Sequence, residues 1–185
     1  MARLSDGELK DLCTRLGVTK SGIDLVMRIR SSEPARRVGG GIRNVPVRYP
    51  SRKMGFIIQA ESHKLELPHV LKMERDNNVL EFYDQPEAIK LTYQGKTGKK
   101  IAHFHHTDLF EISYDFIGYV EFKEDKELLK LSQAQPNRYC ITAEDQWICP
   151  PGIKAAGEFG LSYEIRTEKD FTWAEIANID FLQDY

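Results

Sequence analysis

Asp108, Glu121 and Lys123 fall in one short stretch, HHTDLFEISYDFIGYVEFK, residues 105–123. In an extended strand, residues two apart point the same way, so Glu121 and Lys123 share a face while Phe122 turns to the other. Antiparallel pairing of IAHFHHTDLF with IGYVEFK brings Asp108 near Glu121. Two carboxylates that close repel, and one takes up a proton near neutral pH unless a cation lies between them. Oxygen ligands with open positions suit Mg²⁺ or Mn²⁺, which keep several waters for a substrate phosphate. A lysine beside them can orient or help deprotonate a water, or stabilise charge building on the phosphate. The chemistry indicated is metal-assisted phosphodiester hydrolysis. The D–x12–E–x–K spacing is short, however, and a surface ion pair on an edge strand satisfies it too.

Other reactive residues are less productive. In HFHH, His103 and His105 share one strand face, and His106 shares the other with Asp108. A catalytic zinc site wants three ligands, and no third stands at suitable spacing. His106 is therefore expected beside the acids, with His103 and His105 on the opposite face. Cys13, Cys140 and Cys149 are an odd set without a CxxC pair, which argues for a reducing cytosol and against a zinc ribbon. No base is spaced to activate Cys140 or Cys149, so both read as packing residues. The glycines at 39–41 lack a following GK[ST], so they are no phosphate loop.

The elements that must position the acids can be read from periodicity. Leu9, Leu12 and Leu16 mark a first helix and Ile23, Val26 and Ile29 a second, with Ser5 and Glu8 as a capping box. A connector rich in Gly and Pro follows. From residue 54 a body begins: the short strand FIIQ; a helix over SHKLELPHVLKMERDN with Leu67, Val70 and Leu71 inward and Pro68 in its first turn; and the strand VLEFYD. IKLTYQ, IAHFHHTDLFEI and IGYVEFK are expected to form a three-stranded meander, followed by the helix EDKELLKLSQAQ. Residues 134–160 read as irregular, anchored by Trp147, before a last strand in GLSYEIRTEKDF and a terminal helix. The fold class is α/β, a small mixed sheet flanked by helices.

Charge divides the chain. Residues 1–53 carry twelve Lys/Arg against five Asp/Glu, and residues 54–185 fourteen against twenty-three, so a net −2 conceals +7 in front of −9. Arg36, Arg37, Arg43, Arg48, Arg52 and Lys53 have few local carboxylates and are candidate phosphate contacts on a basic arm. The organisation expected is a helical hairpin and DNA-contacting arm over 1–53, then a catalytic domain over 54–185. No apolar run reaches 18 residues, so no membrane span is expected.

A helix carrying a glutamate, a strand ending in Asp, a turn, a strand with ExK and then a helix resemble the PD-(D/E)xK nucleases, with TD here in place of the usual PD. ESHKLELPHVLKMERDNNVLEFYDQPEAIKL narrows this: the chain from about Pro50 to Phe171 is similar to the catalytic domain of TnsA-type transposon endonucleases. The resemblance implies a restriction-endonuclease-like core with Glu66, Asp108, Glu121 and Lys123 as the site. It makes Glu66, Asp108 and Glu121 ligands of Mg²⁺ or Mn²⁺, with Glu61 competing for the helix position and Gln85 as a structural support. It also implies cleavage of the 5′ ends of a transposon beside a DDE-type transposase, with double-stranded DNA as substrate. An AAA ATPase regulator of transposition is a further implied partner, and the prokaryotic cytoplasm, at the nucleoid, the implied location. The alternative is a catalytically silent relative that uses the same fold to bind DNA or the transposase.

Overall fold

Ser5 opens the first helix through a capping box: its hydroxyl accepts the Glu8 N–H and the Glu8 carboxylate accepts the Ser5 N–H. The computed structural model describes residues 3–35 and 47–182. The N-terminal pair is α1 (Asp6–Arg15) and α2 (Lys20–Ser31), the latter capped by the Thr19 hydroxyl. Leu9, Leu12, Leu25, Val26 and Ile29 are buried and continue the apolar core of the body. At Gly22, α2 lies directly on the chain: a Cβ there would stand 2.1 Å from the Phe159 carbonyl oxygen.

The body runs β1 (Val47–Pro50), β2 (Ile57–Ala60), α3 (Glu66–Arg75), β3 (Val79–Asp84), β4 (Ile89–Gln94), β5 (Lys100–His105), β6 (Leu109–Ser113) and β7 (Ile117–Phe122). It continues with α4 (Asp125–Ala134), β8 (Cys140–Ile141), β9 (Trp147–Ile148), α5 (Pro150–Gly157), β10 (Ser162–Arg166), a 3₁₀ turn at Glu168–Asp170 and α6 (Trp173–Leu182). The central sheet has the order β10-β7-β6-β3, with β10 parallel to β7 and the other pairs antiparallel. The molecule is thus mixed α/β. Every residue of β7 is buried, as expected of an inner strand covered on both faces. Gly118 lets β10 approach it, since a Cβ there would meet the Ser162 carbonyl oxygen at 2.1 Å.

Three expectations change. IAHFHHTDLFEI is two strands, interrupted between His105 and Leu109. The break follows from a corner at Gln85 (φ 47°), whose N–H donates to the Asp108 carbonyl at 3.0 Å. β3 is thereby paired with β6, and the chain between them leaves the sheet as a separate hairpin, β4 with β5, rather than as part of a meander. Residues 134–160 are also more ordered than their Pro and Gly content suggests. β8 pairs with β9, the Trp147 indole donates to Asp125 Oδ1 at 2.8 Å, and Pro150 starts α5, where a missing N–H costs nothing. Among the described residues no helix is long and apolar enough to cross a membrane.

A buried ion pair joins the N-terminal helices to the sheet. Arg30, on α2, grips Glu81 of β3 with two N–H···O bonds of 2.9 Å, and Glu81 also accepts the Leu4 N–H and the Tyr83 hydroxyl. Glu81 is 0% exposed and depends chiefly on that guanidinium, with Arg3 Nε 3.9 Å away as a weaker second partner. Arg30→Met should cost about 3–5 kcal/mol in urea unfolding, whereas Arg30→Met with Glu81→Leu should recover most of the loss, because no charge is then left alone.

Candidate functional site

Glu66 opens α3 and is buried, and its Oε2 accepts the Glu61 N–H at 2.8 Å. Asp108 immediately precedes β6, whose register sets Leu109 opposite Val120, so it faces the end of β7. Its Oδ2 accepts the Phe122 N–H at 2.7 Å. Glu121 and Lys123 share the face that alternation requires, with Nζ 3.5 Å from Glu121 Oε1. Burial raises the Glu66 carboxyl to about 8, and the charge of Asp108 adds to this while that of Lys123 opposes it. Burial likewise raises Asp108 to about 6, against the Phe122 N–H and the Lys123 charge. Glu66, Asp108, Glu121 and Lys123, drawn from three elements, therefore form one electrostatic cluster. Glu61, half-buried beside it, supplies the N–H that holds Glu66.

Glu121 behaves differently from the other two acids. Only 1% exposed, it accepts the Tyr139 hydroxyl on Oε1 (2.8 Å) and the Tyr163 hydroxyl on Oε2 (2.7 Å). Burial alone would raise it, but His105, Lys123 and Tyr163 outweigh burial and bring it to about 2. Each Glu121 oxygen thus has one lone pair taken by a tyrosine hydroxyl, which leaves it less open than Glu66 and Asp108. Lys123 is pulled down by burial yet held above its ordinary range by Glu121, Asp108 and Glu127. It therefore stays a cation at neutral pH.

His105, rather than His106, is the histidine of the site. Its Nε2 lies 3.5 Å from Glu121 Oε1, while His106 is exposed. Arg138 Nη2 is 3.2 Å from His105 Nδ1, and a guanidinium can only donate, so the ring proton sits on Nε2, facing Glu121. Strand alternation correctly grouped His105 with His103, but could not show that β5 would bend toward β7. Tyr139 and Tyr163 carried no sequence signal at all, lying 18 and 42 residues from their partner. Gln85 braces the site through its backbone: besides reaching Asp108, its carbonyl accepts the Ala35 N–H at 2.8 Å.

The basic arm is reassigned in part. Lys53 spends its ammonium on the carbonyls of Met73, Asp76 and Val79, closing the C-terminus of α3, and has no donor left for a phosphate. Arg48 and Arg52 are exposed and line a groove of about 510 Å³ with Tyr49 and Arg75. Arg36, Arg37 and Arg43 lie outside the described residues.

The donor set suits a divalent cation in part. Among the described residues no three His, Cys, Asp or Glu side chains are gathered into a metal cage. Two acids nevertheless fit a hard cation: Glu66 Oε1 and Asp108 Oδ1 receive no hydrogen bond among the described residues, and both carboxylates are penalised for being charged. Mg²⁺ is commonly bound by one or two carboxylates, with water and phosphate completing its shell. No protein-family model matches the chain, and no curated protein shows significant similarity to it.

An acid with a raised folded pKa binds its proton more tightly in the native state, so its contribution to stability is lost as pH rises. Glu66, raised from 4.5 to about 8, should lower stability between those values by up to about 1.4 kcal/mol per pH unit. Urea unfolding in EDTA should show that decline, and Glu66→Gln should flatten it. Added Mn²⁺ should restore stability more at pH 8 than at pH 6, since it competes with the proton. Overlapping profiles for the two proteins would show that Glu66 lies outside the cluster.

Proposed function

We propose that this chain is a metal-dependent DNA endonuclease with a restriction-endonuclease-like core. On its resemblance to TnsA-type proteins, it cuts the 5′ ends of a transposon beside a DDE-type transposase. The observation that carries the nuclease reading is the electrostatic coupling of Glu66, Asp108, Glu121 and Lys123, with Glu66 and Glu121 buried and Asp108 and Lys123 half-buried. It also draws support from the mixed sheet, in which the Asp and ExK strands are antiparallel neighbours.

Glu66 and Asp108 would hold Mg²⁺ or Mn²⁺. When bound, such a cation polarises a phosphodiester and lowers the pKa of a coordinated water. Lys123, kept protonated, stabilises negative charge developing on the phosphate. Glu121 positions that ammonium, and the two tyrosine hydroxyls hold Glu121. Burial pushes the Tyr139 and Tyr163 phenols well above their ordinary range, so both remain donors throughout the neutral range. Excluding water from this corner strengthens each of these interactions.

A second reading, a silent nuclease-fold subunit that binds DNA or the transposase, has one observation in its favour: both Glu121 oxygens are occupied by tyrosines. Nicking of supercoiled plasmid in Mg²⁺, with and without the partner transposase, separates the two. Lys123→Ala should lower nicking about 10²–10³-fold. Asp108→Ala should remove nicking and weaken Mn²⁺ binding measured by calorimetry. Nicking that survives both substitutions sinks the site assignment. Metal binding without nicking, even beside the transposase, leaves the silent reading standing.

A further inference from the structure

Between Glu87 and Asp108 the chain contains no Asp or Glu, but it holds Lys90, Lys96, Lys99, Lys100 and three histidines. This stretch builds the β4–β5 hairpin. Setting its four lysines aside, the rest of residues 54–185 carries −13, so the hairpin is a basic projection on an acidic body.

Its two faces differ. Ile89, Leu91 and Tyr93 pair across the strands with His105, His103 and Ile101 and form the inner face, with Leu91 0% exposed and α5 packed on β4. The outer face pairs Lys90 with Phe104, Thr92 with Ala102 and Gln94 with Lys100, and the turn adds Lys96 and Lys99. All four lysines are exposed, and none has a carboxylate partner among the described residues. Phe104, directly opposite Lys90, is 70% exposed, an uncommon position for a large aromatic on an otherwise polar face.

A two-stranded hairpin is marginal alone, but this one is braced. The loop after α4 pins it: Asn137 Nδ2 donates to the Gln94 carbonyl (2.9 Å), Tyr93 Oη to Gln135 Oε1 (3.3 Å), and Arg138 reaches His105. At its base, His105 touches Glu121. The outer face is thus carried on a held hairpin whose base adjoins the candidate site.

We infer that this face is a DNA-contacting surface, on which the four lysines neutralise backbone phosphates of a duplex while Phe104 supplies an apolar contact to the sugar edge. The inference rests on the nuclease reading and adds the hairpin to the N-terminal arm as a DNA contact. A basic surface whose lysines have no carboxylate partner among the described residues selects a polyanion in an acidic protein, and the hairpin that carries it is rooted beside the acids through His105, 3.5 Å from Glu121. An exposed aromatic among the lysines adds a component that salt does not screen.

The test is binding of a short fluorescein-labelled duplex of arbitrary sequence, titrated across salt in EDTA so that no strand is cut. Replacing Lys96, Lys99 and Lys100 with Gln should flatten the log–log salt slope by roughly 2–3, since each phosphate left without its lysine removes about 0.9. A charge-matched control with Lys10, Lys20 and Lys130 replaced by Gln should keep the wild-type slope, and thermal unfolding should be unchanged in both. Phe104→Ala should weaken binding several-fold at constant slope. An unchanged slope in the hairpin variant overturns the inference, as does a wild type without affinity for duplex. Nicking with an unchanged slope would spare the nuclease reading alone, and a flattened slope without nicking would spare the hairpin alone.

Discussion

The carboxylate of Glu121 ties together four parts of the chain that nothing else brings to one point. Tyr139 comes from the loop after α4, Tyr163 from β10, His105 from the end of β5 and Lys123 from its own strand. A charge at 1% exposure is costly to desolvate, and only a full set of donors offsets that cost. That requirement adds to the β10–β7 ladder and to the bonds from Gln135 and Asn137 that seat the hairpin. The site is held as a consequence of satisfying one buried anion.

The other buried charges divide into two kinds. Glu81 with Arg30 and Glu111 with Arg166 are acids matched by a guanidinium, and each joins separate elements: α2 to β3, and β6 to β10. These pairs are structural. Glu66 and Asp108 are the opposite, since each has a single backbone N–H on one oxygen and a like charge nearby. A fold that satisfies Glu81, Glu111 and Glu121 yet leaves these two short of positive charge keeps an electrostatic deficit at one place. The β4–β5 excursion leaves the sheet undisturbed, because its departure and return are both set at the Gln85–Asp108 contact.

Much of this was legible in the chain itself. The helical stripes, the capping box, the buried strand VLEFYD and the shared face of Glu121 and Lys123 follow from periods of 3.6 and 2, which local backbone geometry imposes. Antiparallel placement of Asp108 against the end of the next strand also followed, because a short turn leaves little choice. The basic arm was less secure: Lys53 reads as a free cation in sequence but spends its charge on three carbonyls between the last turn of α3 and the start of β3.

What the residues determined alone was therefore which side chains could do chemistry and which faces they occupy. What the tertiary structure decided was who partners whom: that His105 rather than His106 meets the acids, that Glu121 is occupied by Tyr139 and Tyr163, and that IKLTYQ leaves the main sheet. The physical reason is range. Periodicity is dictated by neighbours a few residues apart, whereas the satisfaction of a buried charge is settled by donors 18 and 42 residues away, whose arrival depends on how the whole core packs.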